Sequence, residues 1–194
     1  VGRATFELAR SFDYVLGLDF SARFIRSAVN LKEKGSLNFH VPTEGDLSEE
    51  RVITLEDLGL EEFKHKCEFF QADACNLDPR FCGYDVILCA NLLDRLYDPL
   101  SFLRMVHTRI NVGGLLILTS PYTWLEEFTP KDKWLGGYID QKTGKEVTTL
   151  DGLKNELQPR FRLVGEPRDV PMVIRETARK YQHTIVQATV WERL

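Results

Sequence analysis

The sequence has no Cys-x-x-Cys pair, because Cys67, Cys75, Cys82 and Cys89 are spaced too widely. A zinc knuckle and a dithiol redox motif are therefore not expected, and the thiols read as reduced. His40, His65, His107 and His183 are scattered, with no H-E-x-x-H spacing that sets two ligands on one helix face, so no metal is expected. Long apolar runs are also missing. Val86 to Ala90 and Leu115 to Leu118 are strand-sized, against the roughly 20 residues a membrane-spanning helix needs. Together with the lack of a leader-like opening stretch, this predicts a soluble, cytoplasmic chain with no membrane partner. Basic excess is absent too: 25 Lys and Arg stand against 29 Asp and Glu, a net charge of -4. Without a cationic field, nucleic acid is a poor partner. No internal repeat or low-complexity tract breaks the chain.

What is present suits one globular domain. The 194 residues are 43% hydrophobic and 11% aromatic, enough for a buried core. A short apolar-periodic helix around Phe6, Leu8 and Ala9 comes first, and Tyr14 to Asp19 reads as a buried strand ending in a carboxylate. Ser21 is placed to cap a helix over 22–34. Alternation at 37–41 and 51–55, with turn-rich residues at 42–50, predicts a β-hairpin inserted at about 36–56. Strands follow at 67–72 and 84–90, ending at Asp73 and Asn91. A helix is expected over 99–109, stopped by Gly113 and Gly114, and then a strand over 115–119. The last part predicts a helix over 150–157, an extended 161–164, and a long strand over 181–191 that closes an antiparallel hairpin, with 169–180 as its excursion. Strand alternating with amphipathic helix implies an α/β, Rossmann-like, doubly wound and mostly parallel sheet.

In such sheets ligands bind where strands end and helices begin. Three successive strand ends carry Asp19, Asp73 and Asn91. Asp19, beside Phe20, suits the paired hydroxyls of a ribose, and Asp73 with the Ala74 amide suits an adenine edge. Gly2 leaves room for close backbone approach, and Leu92 follows Asn91 at the same strand end. This arrangement resembles the class I methyltransferase family along nearly the whole chain, which implies S-adenosyl-L-methionine as cofactor and S-adenosyl-L-homocysteine as product. The chain departs from that pattern at its start. The family's glycine-rich D-x-G-x-G-x-G stretch and central first strand belong ahead of Gly2, and only Val1-Gly2 remains, so residues upstream are expected.

Asn91-Leu-Leu-Asp-Arg95 is the sharper signal. It resembles the signature of the DREV-type histidine N1-methyltransferases, which implies Asn91 and Asp94 as imidazole ligands and Tyr181 as their aromatic partner. Neutral imidazole has one donor and one acceptor nitrogen, so a carboxylate that accepts the N–H fixes the tautomer and frees the other lone pair. The plainer alternative makes Asn91 a helix cap and pairs Asp94 with Arg95 on the surface.

The stretches Thr119 to Pro130, Lys133 to Gly137 and Ile174 to Tyr181 add to this. With the Asn-Leu-Leu-Asp-Arg run they resemble the C-terminal methyltransferase domain of ovothiol biosynthesis enzymes. That resemblance implies mercaptohistidine as substrate and an iron-dependent sulfoxide synthase module upstream. For the amino-acid ends of such a substrate, Glu126 or Glu127 suits the ammonium and Arg175 or Arg179 the carboxylate. Tyr122, Trp124 and Trp134 are candidates for the pocket wall. Two other readings stay open: a methyltransferase for histidine in a protein or peptide, and a catalytically silent methyltransferase-like binding module.

Overall fold

The computed structural model describes residues 2–194, and these divide into two units. The expected contribution of Val1 to a glycine-rich turn lies outside the described residues. The first unit comprises 2–74 with 174–182, and the second 75–173 with 183–194.

In the first unit a short helix α1 (Arg3–Leu8) precedes strand β1 (Val15–Asp19) and helix α2 (Ala22–Lys34). The bounds of α2 follow from its ends. Ser21 accepts a hydrogen bond from the Phe24 amide, and Gly35 takes the left-handed conformation that ends the helix (φ 70°). Lys32 and Lys34 lie in the last turn, where cations meet the negative end of the helix dipole. Strands β2 (Ser36–Glu44) and β3 (Leu47–Thr54) form the inserted hairpin. They run further into the turn-rich stretch than expected, and Pro42 is tolerated beside a register shift. Strand β4 (Cys67–Gln71) lies parallel to β1, with Asp19 opposite Gln71.

The core of this unit joins Phe6, Ala9, Ala28, Leu31, Leu55, Leu60, Cys67 and Phe69. Full burial of each large side chain contributes about 1.5–3 kcal/mol. Gly17 is part of this packing, because a Cβ there would sit 2.6 Å from Phe69 and 2.7 Å from the Thr5 hydroxyl.

The second unit opens with β5 (Tyr84–Ala90), then helix α3 (Pro99–Val106) and strand β6 (Ile110–Ser120). Asp98 caps α3 by accepting from the Ser101 amide, and Pro99 occupies the first turn, where no N–H is needed. The helix is shorter than predicted, and Gly113 and Gly114 do not stop it. They lie inside β6, at a register shift against β5. Gly113 has φ 81°, and a Cβ on Gly114 would meet the Asp85 carbonyl at 2.8 Å, so the bulge itself requires both glycines.

A two-residue ladder, β7 (Tyr138–Ile139) with β8 (Glu146–Val147), leads to helix α4 (Thr149–Leu157). Thr148 and Asp151 close a capping box at its start. Strands β9 (Phe161–Leu163), β10 (Arg168–Arg175) and β11 (Tyr181–Arg193) complete the chain. Most of the expected excursion at 169–180 is therefore strand β10. The strand order is β10-β11-β6-β5, with β9 also paired to β11. The β5–β6 pair is parallel and β6–β11 antiparallel.

Parallel strands with helical crossovers and an antiparallel end make the architecture α/β, as expected. The doubly wound sheet of the sequence reading is present as the parallel pair β1-β4 and a mixed five-stranded sheet, with β2-β3 and β7-β8 as separate two-stranded ladders. The first strand expected ahead of Gly2 is not among the described residues.

Candidate functional site

The second unit gathers polar groups at the carboxyl ends of β5 and β6. Asn91 follows β5 with φ 52°, and Tyr122 lies just beyond β6 with φ 54°. They are the non-glycine residues with positive φ among those described. Left-handed backbone is uncommon for asparagine and strained for a bulky aromatic, and persists where the surroundings impose it.

Those surroundings are hydrogen bonds. The Asn91 amide donates to the Thr119 carbonyl at 2.8 Å, and its side-chain oxygen accepts from the Thr119 hydroxyl at 3.2 Å. Asn91 Nδ2 lies 3.1 Å from the Met172 sulfur. Its side chain thus keeps one lone pair and one N–H without a partner among the described residues. Tyr122 donates its backbone N–H to Ser120 Oγ at 3.0 Å and its hydroxyl to Gln187 Oε1 at 3.1 Å. Burial, and then the charge of Asp94, push the Tyr122 hydroxyl up to about 12. It therefore remains a donor at neutral pH.

Asp94 departs from the expected role. It is 1% exposed, in a 3-10 turn over Leu93–Arg95. Its carboxylate accepts from Ser120 Oγ at 2.8 Å, Thr123 Oγ1 at 2.9 Å and Arg95 Nη1 at 2.9 Å. Arg95 also donates to the Thr123 carbonyl. Asp94 is neither a surface ion pair nor an open imidazole ligand, because its carboxylate is buried and three protein donors already occupy it. It ties the turn after β5 to the segment after β6, and Ser120 links it to the Tyr122 backbone.

Trp124 also differs from expectation. At 8% exposed it packs inward, donates Nε1 to Thr149 Oγ1, and stacks on Trp134 at 6.2 Å. Trp134 in turn donates to the Thr129 carbonyl. The pair anchors the loop after β6 to α4 instead of walling a pocket. Glu126 and Glu127 are exposed in the turn that follows, and Leu92 is half-buried beside Asn91.

The first unit holds the other candidates. Asp19 ends β1 exposed, with Oδ1 accepting from the Ser21 amide at 2.7 Å and Oδ2 without a donor among the described residues. Phe20 beside it is 72% exposed. Asp73 and Ala74 are half-buried just past β4, the strand parallel to β1, so Asp19 and Asp73 share one end of that sheet. Gly2 caps α1 with φ 76°. The space where its Cβ would point is taken by Phe69, Ala28 and Phe6, so packing accounts for this glycine without a ligand.

Arg175, Arg179 and Tyr181 belong to the 174–182 stretch of the first unit. Arg175 lines a depression of about 450 Å³ with Phe39, Val41, Arg51, Val52 and Ile53 of the hairpin. The Ala178 amide donates to the Pro42 carbonyl, which holds this stretch on the hairpin. Arg179 is exposed, and Tyr181 is 56% exposed at the start of β11.

Sequence reasoning missed Thr119, Ser120, Thr123 and Gln187. The signal for Ser120 and Thr123 was their place just at and after a strand end, and for Gln187 its place on one face of the alternating last strand. Among the described residues no group of His, Cys, Asp and Glu is arranged to hold a metal, and no helix is long and apolar enough to cross a membrane.

No family model and no curated protein matches the sequence. Solved structures do. One is the protein studied for conversion of a disulfide bond into a thioacetal group during echinomycin biosynthesis. It is 15% identical with a TM-score of 0.60, over 99% of this chain and 71% of the other. A SAM-dependent methyltransferase from Methanosarcina mazei is 18% identical at 0.58, over 100% and 88%. The methyltransferase domain of bacterial CtHen1-C is 16% identical at 0.50, over 98% and 84%. At these identities the likeness establishes architecture, and the chain has the Rossmann-like α/β fold of SAM-dependent methyltransferases.

Proposed function

We propose that the protein is a SAM-dependent N-methyltransferase acting on an imidazole nitrogen, with mercaptohistidine as substrate and N1, the nitrogen next to the side-chain attachment, as the methylated atom. A fold alone carries no activity. The observation that carries this reading is Asn91, fixed in a left-handed conformation at a strand end with one donor and one acceptor site left over. The acceptor site complements the N–H of a neutral imidazole and leaves the ring's other nitrogen unengaged.

The chain's residues fit the cofactor. Asp19 offers a free carboxylate oxygen for ribose hydroxyls beside the exposed Phe20 ring, and Asp73 with Ala74 suits adenine. Bound S-adenosylmethionine supplies an electrophilic sulfonium methyl, so the protein has chiefly to orient the acceptor.

Asn91 Oδ1 accepts the ring N–H and thereby fixes the tautomer with the N1 lone pair free. As that lone pair forms the new N–C bond, the sulfonium C–S bond breaks and the ring becomes cationic. Buried Asp94 favours this developing charge and holds Ser120 and Tyr122 in place, acting as a positioning residue. The ring N–H proton then leaves to solvent.

The test incubates the protein with S-adenosylmethionine and equal amounts of mercaptohistidine, histidine and a histidine peptide, with products followed by mass spectrometry. N-methylated mercaptohistidine is expected to dominate. Methylation of the peptide alone replaces this reading with protein histidine methylation, and failure to bind the cofactor replaces it with a silent binding module.

A further inference from the structure

The hairpin β2–β3 carries its apolar face further than the core of its unit requires. Directly paired residues share a face of the ribbon, and the pairs Leu37–Ile53 and Phe39–Arg51, two residues apart, lie on the same one. Leu37 packs against the core, whereas Phe39 remains 40% exposed. There Phe39, Val41, Arg51, Val52 and Ile53 line the depression of about 450 Å³, with Arg175 as its lining residue from outside the hairpin.

Arg175 is held in place by the turn that follows it. The Glu176 and Thr177 amides donate to the Lys180 carbonyl at 2.9 and 3.2 Å, and the Ala178 amide donates to the Pro42 carbonyl at 3.1 Å, which ties the turn to the hairpin. Arg175 Nε donates to the Thr177 carbonyl at 3.0 Å. Its two Nη groups have no partner among the described residues, and the neighbouring acid, Glu176, is paired with Lys180. Arg51 differs, because Glu49 takes its Nε and Nη2 and answers its charge. The depression thus combines apolar walls with one guanidinium that no described acid pairs.

Small-molecule sites have this composition, with volumes of about 300–1,000 Å³, mostly apolar walls and a few placed polar groups. A planar guanidinium whose Nε is already fixed offers its Nη donors as a preset fork, which matches the two oxygens of a carboxylate. The volume suits a small molecule, and the charge an anion.

We propose that this depression binds a small carboxylic acid with an apolar body, its carboxylate on the Arg175 Nη groups and its body against Phe39, Val41 and Ile53. The site lies within the first unit and involves neither the cofactor nor the imidazole reading, so each stands or falls alone.

The test titrates the whole protein with 3-phenylpropionate, its uncharged amide, and acetate, followed by NMR. 3-Phenylpropionate should bind about tenfold more tightly than the amide, the effect of one charge-assisted hydrogen-bonded pair. It should also bind at least about tenfold more tightly than acetate, which has no ring to bury. Arg175→Gln should bring acid and amide within about threefold of each other and leave binding of the amide unchanged. Phe39→Ala should weaken both in equal proportion. Arg168→Gln, on the same strand but outside the lining, should change neither.

Three results would overturn the assignment: no binding of 3-phenylpropionate at millimolar concentration, acetate binding as tightly as the larger acid, or an acid preference that survives Arg175→Gln or falls equally in Arg168→Gln. A variant with a lowered melting temperature is judged on the ratio of the acid and amide affinities, which a general loss of structure does not shift.

Discussion

Asp19 ends one parallel strand and Asp94 stands in the turn after another, yet they are opposite in character. Asp19 is exposed and accepts a single backbone hydrogen bond, so half of its carboxylate is available. Asp94 is buried beneath three donors. Position at a strand end therefore does not by itself make a carboxylate a ligand. What decides is whether the protein has already supplied its donors. The strand end with the free acid is the one suited to bind hydroxyls, and the one with the satisfied acid is suited to hold neighbours still.

The sharpest way to break this contrast is to remove Asp94. Asp94→Ala leaves Arg95, Ser120 and Thr123 without their common acceptor, and should cost about 3 kcal/mol of stability in urea unfolding. A loss below about 0.5 kcal/mol, the range of ordinary surface changes, would mean the network is not structural.

Gly17→Ala probes the other unit, where crowding and not hydrogen bonding sets the limit. Forcing a methyl against Phe69 and Thr5 should cost about 1–3 kcal/mol, read by the same unfolding curve.

Asp98 is intermediate, a carboxylate with a role but only partly enclosed. Its hydrogen bond to Lys133, helped by the Ser101 amide, holds its pKa below the usual value. A depressed value means its contribution is complete above the unfolded carboxylate pKa of about 3.9 and is lost as pH falls through the folded value. Asp98→Asn should thus weaken the protein at neutral pH and flatten the acid limb of its stability profile. Asp98→Ala should lose the cap as well, about 1 kcal/mol in all. An acid limb identical in wild type and Asp98→Asn would remove this group from the account.

Asp19→Ala should have the smallest effect on stability, under about 0.5 kcal/mol. Its S-adenosylmethionine affinity by calorimetry should nevertheless fall about tenfold or more, as expected when a charged hydrogen-bond partner is lost. Intact affinity would count against the ribose assignment.

How much of this was legible in the sequence varies with the range of the interactions. The start of helix α2 is legible to the residue because Ser21 is a local signal. The start of β6 was misplaced because a Gly-Gly pair reads equally as a helix stop or a bulge, and only the partner strand decides. Asp94 was found but its burial was not, since the Ser120 and Thr123 that satisfy it stand 26 and 29 residues away. Gln187 is further still, 65 residues from Tyr122. Strand-end acids can be read from local pattern, whereas the donors that decide their use come from the neighbouring strand.

Strand β11 carries one more consequence. Its carboxyl end is anchored by Trp191, fully buried, with Nε1 bonded to the buried Thr189 hydroxyl. Side chains alternate along a strand, so a slip of one residue would expel the indole from the interior and bring Ala188 opposite Ser120 in place of Gln187. The tryptophan thus serves as an index pin at a distance. By fixing the phase of the strand in the hydrophobic interior, it determines which side chain stands beside Tyr122 four residues away.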